Sequence, residues 1–307
     1  MSDNKKKCGM CHCRQFRILS LFLFLFIPLV QLCANQKSVN YSPAYFGPNA
    51  NPVPLFGDAL IPAVTTLQLS GSSYFGFGDN TNNLNFVVEI PLLPKFVSFK
   101  IWTAFLENYK VTQDVFDLRK MKGNKSGTIG VGDFYVQTRI LIAREKKYAP
   151  DIILNSTLKT ASGDNFDERR YFDTPGYYFD IELGKSMRLN NSILSEIRTV
   201  VDIGFFCWET TNSTQNDAFM YGGKIILSNR LLDFENMLAG YTGWMKNGDA
   251  PLVYSSKLTF KMSKLRAFAQ YQYGITDFPY HHFQAGVSFY FPKLTPRKTW
   301  NDKPSVN

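Results

Sequence analysis

YYFDIELGK, residues 177–185, places Tyr177, Phe179, Ile181 and Leu183 at every second position and sets Asp180 and Glu182 between them. A period of two is that of a β-strand, whose side chains point alternately to opposite faces. The segment is therefore a strand with one apolar face and one face carrying two carboxylates. Which face meets water decides the fold: in a soluble sandwich the apolar face turns inward, and in a membrane barrel it turns outward to lipid.

The same alternation returns along the chain. LNFVVEIPL (84–92) sets Leu84, Phe86, Val88, Ile90 and Leu92 against Asn85 and Glu89, and FVSFKIWTAF (96–105) sets Val97, Phe99 and Ile101 against Ser98 and Lys100. DFYVQTRILI (133–142), SEIRTVVDIGF (195–205) and FQAGVSFYF (283–291) repeat it. Twelve such segments begin near Thr65, Leu84, Phe96, Gly130, Asp151, Tyr177, Leu194, Phe219, Asn236, Leu252, Leu265 and His282. An even number of strands, each of roughly 9 to 11 residues, is what a bacterial membrane barrel requires.

Two features favour lipid outside. The apolar faces are strongly aromatic, 47 of 307 residues being Phe, Tyr or Trp, whereas the opposite faces carry charges and small residues such as Gly132, Gly184, Gly204, Gly222 and Gly286. A soluble barrel or sandwich of this size needs a polar exterior richer in Lys and Glu than 19% charged residues supply. The connections agree. Those at 112–127 and 163–176 are long and that at 211–217 is intermediate. Those at 91–95, 188–191, 229–234 and 263–264 are short, and GDNTN and KNGDA read as tight external turns. Long and short connections alternate, as in barrels with short periplasmic turns and longer outer loops.

The N-terminus carries an address. KKKCGMCHCR (5–14) contains Cys8-Gly-Met-Cys11-His12, the spacing of a c-type haem attachment, but Arg17 and the uncharged run ILSLFLFLFIPLV (18–30) follow. A basic start, a short apolar run and a small residue at Ala34 read as a secretory signal peptide over 1–34, with the cysteine motif in its discarded cytoplasmic end. Gln31 and Leu32 do not make a lipoprotein signal of Cys33. Cleavage leaves 29 basic and 24 acidic residues, a net charge of +5, with scattered cations that do not suggest nucleic acid. Only Cys207, His281 and His282 remain, too few for a disulfide or a Cys/His metal cluster. Residues 35–64, rich in Pro and Asn, read as a periplasmic extension or plug, and 292–307 as a periplasmic tail.

With this leader, twelve alternating segments, loop parity and a last strand, GVSFYF, ending on Phe291, the chain resembles Gram-negative outer-membrane β-barrel proteins. The resemblance implies an all-β, antiparallel up-and-down barrel over 65–291, integral to the outer membrane. It also implies lipid and lipopolysaccharide around it, and insertion by the assembly machinery that reads such a terminal strand. The sixteen residues after Phe291 depart from members that end on that aromatic. No motif marks a subfamily.

On this reading the polar face lines the lumen. Its ionisable members are Glu89, Lys100, Asp133, Arg139, Lys159, Asp180, Glu182, Glu196, Arg198, Asp202, Lys224, Lys257 and Arg266, six acids and seven bases. So near a balance suggests cross-lumen ion pairs in a narrow tube, either a passive channel for small polar solutes without strong charge selectivity or an occluded structural barrel. A receptor or adhesin using the loops 112–127 and 163–176 is the alternative. A hydrolase finds less support, because His281 and His282, placed in a last external loop FPYHHF, have no Ser beside them. No catalytic residue, metal or cofactor is expected.

Overall fold

The computed structural model describes residues 40–296 except 41, 192, 209–216 and 264. The segment 1–34 expected to be a leader, much of the connection 211–217 and the tail beyond 296, with Trp300, lie outside the described residues. In chain order the elements are β1 (Thr65–Phe75), β2 (Asp79–Leu93), β3 (Val97–Val111), α1 (Gln113–Leu118), β4 (Ser126–Ile129), β5 (Tyr135–Ala143), β6 (Asp151–Lys159) and β7 (Gly176–Arg188). They continue with β8 (Glu196–Trp208), β9 (Asp217–Ser228), β10 (Leu232–Thr242), β11 (Leu252–Lys261), β12 (Leu265–Thr276) and β13 (His281–Phe291). Neighbouring wall strands pair antiparallel in sequence order, and β1 pairs with β13 from Thr65↔Phe291 to Phe75↔His281. That last ladder closes a twelve-stranded barrel and leaves no free sheet edge around it. β4 stands outside the wall, four residues paired to the outer end of β3.

Several local expectations need correction. The segment read as one long loop over 112–127 holds α1, capped by the Thr112 hydroxyl, and the start of β4. The following wall strand begins at Tyr135 rather than near Gly130, because Gly132 and Asp133 belong to the outer connection. GDNTN is not the first turn. Asp79 onward is already β2, and the turn is Gly76-Phe77-Gly78, whose glycines take φ of +112° and +82° that side chains rarely adopt. The first short turn lies at 94–96, since β2 runs on to Leu93. His281 and His282 are not in a loop but open β13, on opposite faces of the wall.

The alternation sorts the wall into two surfaces. Ile203, Phe205, Phe219, Ile225 and Phe283 are each between 44% and 50% exposed on the outside, while Asp202 and Lys224, on the opposite face of β8 and β9, are buried. An apolar surface of this kind on every side of a closed barrel suits hydrocarbon and not water.

At the end where the long hairpins project, two of them fold inward over the mouth. Arg119, just after α1, and Arg170, in the β6–β7 connection, are fully buried together with Asp79 and Glu107. Arg119 reaches Asp79 at 2.6 Å, and Arg170 bridges Asp79 at 2.8 Å and Glu107 at 2.7 Å. The remaining donors and acceptors are also used: Arg170 donates to Thr81, Arg119 to Tyr280, and Tyr171 to Glu107. Burial opposes the charge on Arg170, but the Glu107 and Asp79 carboxylates more than offset it, so its pKa is raised. Two cations and two anions sealed from water persist only because each is paired and hydrogen-bonded.

Two substitutions probe these features. Arg170→Ala leaves Asp79 and Glu107 without a shared partner and is expected to cost about 3–5 kcal/mol in urea unfolding. Ile203→Arg puts a charge on the lipid face near the middle of β8 and is expected to cost about 2–4 kcal/mol, read as loss of the heat-modifiable folded band after refolding into bilayers.

Candidate functional site

Residues 40–64 run inside the barrel. Asn40 donates to the Asn247 carbonyl in the β10–β11 hairpin at the outer rim, and Asn49 donates to Asn83 and Glu107 lower down. Asn51 accepts from the Trp208 indole, and Pro62 at the opposite rim accepts from Lys95 in the β2–β3 turn. Pro and Asn deny this stretch any regular structure, so its amides and carbonyls must find partners elsewhere. Three luminal side chains supply them at 56–59. Glu182 accepts from Gly57 N at 2.7 Å and Ala59 N at 2.9 Å. Lys224 donates to the Phe56 and Gly57 carbonyls at 2.7 and 2.8 Å, and Arg198 to those of Asp58 and Ala59 at 2.7 and 3.1 Å. The close fit uses missing side chains: a Cβ on Gly222 would overlap the Phe56 ring, and one on Gly184 would overlap Ala59 and Arg198.

The thirteen ionisable residues named from the sequence fall into this framework as follows. Arg139 lies between Glu89 and Glu182, 3.1 Å from each, and Glu89 also accepts from Ser98. Asp202 is the register partner of Glu182, and Asp180 accepts from Asn155. Lys159 pairs with Asp133 at 2.6 Å near the outer end. Glu196 accepts from Ser186 toward the inner end, Lys257 lies 3.5 Å from Glu235, and Arg266 lies over the Tyr290 ring. Lys100 is the register partner of Glu89.

The sequence reading missed Asp79, Glu107, Arg119 and Arg170 of the mouth, and Asp151, Asp233 and Glu235 of the inner half. Glu235 falls ahead of the strand expected from near Asn236, whereas β10 begins at Leu232 and places Glu235 on its inner face. Arg119 and Arg170 sit on irregular connections, where no period reveals direction.

The segment leans on one side of the lumen. Its charged anchors come from β7, β8 and β9, and β11, β12, β13 and β1 give it none of these anchors and line the open space beside it. That wall carries amides and hydroxyls, with Lys257 and Arg266 in its inner half: Gln284 donates to Ser70, Gln270 to Ser255, and Ser288 to Gln68. Two cavities lie between wall and segment, an outer one of about 260 Å³ and an inner one of about 570 Å³. Leu55, Gln68, Val87 and Lys100 line both, so the cavities meet there. Leu55, on the threaded segment, is 41% exposed and forms the apolar side of that junction.

No protein-family model and no curated protein sequence matches the chain. Among solved structures, an outer membrane channel from Pseudomonas putida F1 superposes with a TM-score of 0.54 at 9% identity, covering 78% of this chain and all of that one. The NanC porin (TM-score 0.46, 9% identity, 73% of this chain and 98% of that one) and the KdgM porin (TM-score 0.44, 7% identity, 73% and 99%) align more loosely. The fold is that of outer-membrane β-barrels.

Proposed function

We propose that the protein is a narrow passive channel of the Gram-negative outer membrane, admitting small polar solutes past the threaded segment. The observation that carries this reading is the pair of joined cavities running beside residues 49–60, the outer lined by amides, hydroxyls and aromatic rings and the inner by acids and bases intermixed. Five acids and six bases line the inner cavity, so the path has no strong field of one sign and little selectivity between anions and cations. The lipid of the bilayer meets the outer apolar band, and the terminal strand ending at Phe291 is the part offered to the assembly machinery.

The other readings find less support. A receptor needs its loops available, whereas Arg119, Met121, Tyr171 and Phe172 of the two long loops are buried in the mouth. A hydrolase needs a His beside a nucleophile and an acid. His281 faces outward against the Tyr271 hydroxyl, and neither ring nitrogen of His282 has a hydrogen-bond partner among the described residues.

In planar bilayers the full chain is expected to give small, weakly selective unitary currents. Deleting residues 41–60 exposes Glu182, Arg198 and Lys224 to water, which can hydrate them in place of the lost backbone, so the barrel survives and conductance rises several-fold. Unchanged conductance would remove the plugging role, and a silent wild-type barrel would remove the channel. Leu55→Trp, which fills the junction of the two cavities, is expected to lower the current while leaving the folded yield unaltered.

A further inference from the structure

We infer that the outer cavity is a binding site for a neutral cyclic polyol, a pyranose sugar in particular. The inference rests on the channel reading and names the solute class of the same lumen. Its starting point is His282, which is only 6% exposed and lines the cavity with neither ring nitrogen hydrogen-bonded among the described residues. An imidazole withdrawn from water with both nitrogens unused carries a cost that a bound hydroxyl would relieve. The ring is not loose: it stacks on Tyr74, with centroids 3.9 Å apart and planes 6° from parallel, so its nitrogens keep one direction.

The surroundings match such a ligand. Register places His282 between Tyr74 and Gln272, and the next luminal row is Ser72, Gln284 and Gln270. Across the cavity Trp102 and Tyr135 stack on each other, centroids 5.0 Å apart and planes 9° from parallel, with Tyr178 and Phe206 beside them. Aromatic faces cover the C–H faces of a sugar ring, while amides and imidazole take its hydroxyls as donors or acceptors.

The lining also selects against other classes. It contains no arginine, and Asp133 is already paired with Lys159, which leaves Lys100 as the one cation for an acidic group. A hydrocarbon would leave the amides and His282 dry and unsatisfied.

Calorimetry on the detergent-solubilised full-length protein tests the site independently of transport. D-glucose is expected to bind with on the order of millimolar affinity and to interrupt single-channel current over the same concentrations. His282→Phe keeps the stacked ring but removes both nitrogens, and binding is expected to fall about tenfold or more, as it is for Gln272→Leu. His282→Gln restores a hydrogen-bonding group and is expected to retain most of the affinity. All variants are compared as heat-modifiable, folded barrels.

Absence of binding heat in a conducting wild type overturns the site and leaves the channel standing. Binding to a barrel that passes no current supports the site and overturns the channel. D-glucuronate or cyclohexanol binding more tightly than glucose, or unchanged affinity in His282→Phe, overturns the neutral-sugar assignment.

Discussion

Everything inside this barrel depends on the clasp that Glu182, Lys224 and Arg198 make on the backbone of residues 56–59. An irregular chain in a low-dielectric tube faces a severe constraint, because each unpaired amide or carbonyl removed from water costs as much as a lost hydrogen bond. Charged side chains in the same tube face their own penalty. Here each solves the other's problem: the carboxylate takes two amides and the two cations take four carbonyls. Charge-assisted bonds of this kind are stronger than neutral ones. The segment is thus held by its backbone rather than by the identity of its side chains, apart from the fit of Phe56 and Ala59 over Gly222 and Gly184.

The clasp also decides how the lumen is divided. Its anchors lie on adjacent strands, β7 to β9, so the segment is drawn to one side and the β11–β13 and β1 wall is left open. Arg139, Glu89 and Asn155 extend the charged side as a hydrogen-bonded network, with Arg139 shared between two carboxylates. The open side carries Lys257, Lys261 and Arg266 in its inner half and is mostly amide and hydroxyl above them. Ion pairs pinned to backbone hold structure and leave the Gln and Ser wall to meet a solute. The mouth repeats the principle with Arg119 and Arg170, which bring two loops down onto acids at the tops of β2 and β3.

Much of this was legible in the sequence, for a physical reason. A wall strand between lipid and lumen has two unlike surroundings, so its side chains alternate strictly. Tyr177 to Leu183 against Asp180 and Glu182 could be sorted without any structure. Where that constraint lapses, so does legibility. Asp79 reads as part of a turn because its strand extends above the membrane, where alternation is no longer enforced. Arg119 and Arg170 lie in connections without period. The small residues of the inner face were visible as a class, but nothing local to Gly222 announces that Phe56, far away in sequence, packs on it. His281 and His282 read as neighbours in an external loop, whereas in a strand one position of shift sends them to opposite sides.

The direction in which residues 40–64 run carries a consequence for assembly order. Asn40 is tied to the outer rim and Pro62 to the inner one, and Thr65 begins the strand that seals the seam with β13. The described chain therefore enters the tube at the outer rim and runs down it once before the wall starts. A ring closed first would have to be threaded afterwards by a free end, whereas a strand lattice that zips around a segment already clasped encounters no such obstacle. On that account the clasp acts as a mandrel about which the cylinder is wound.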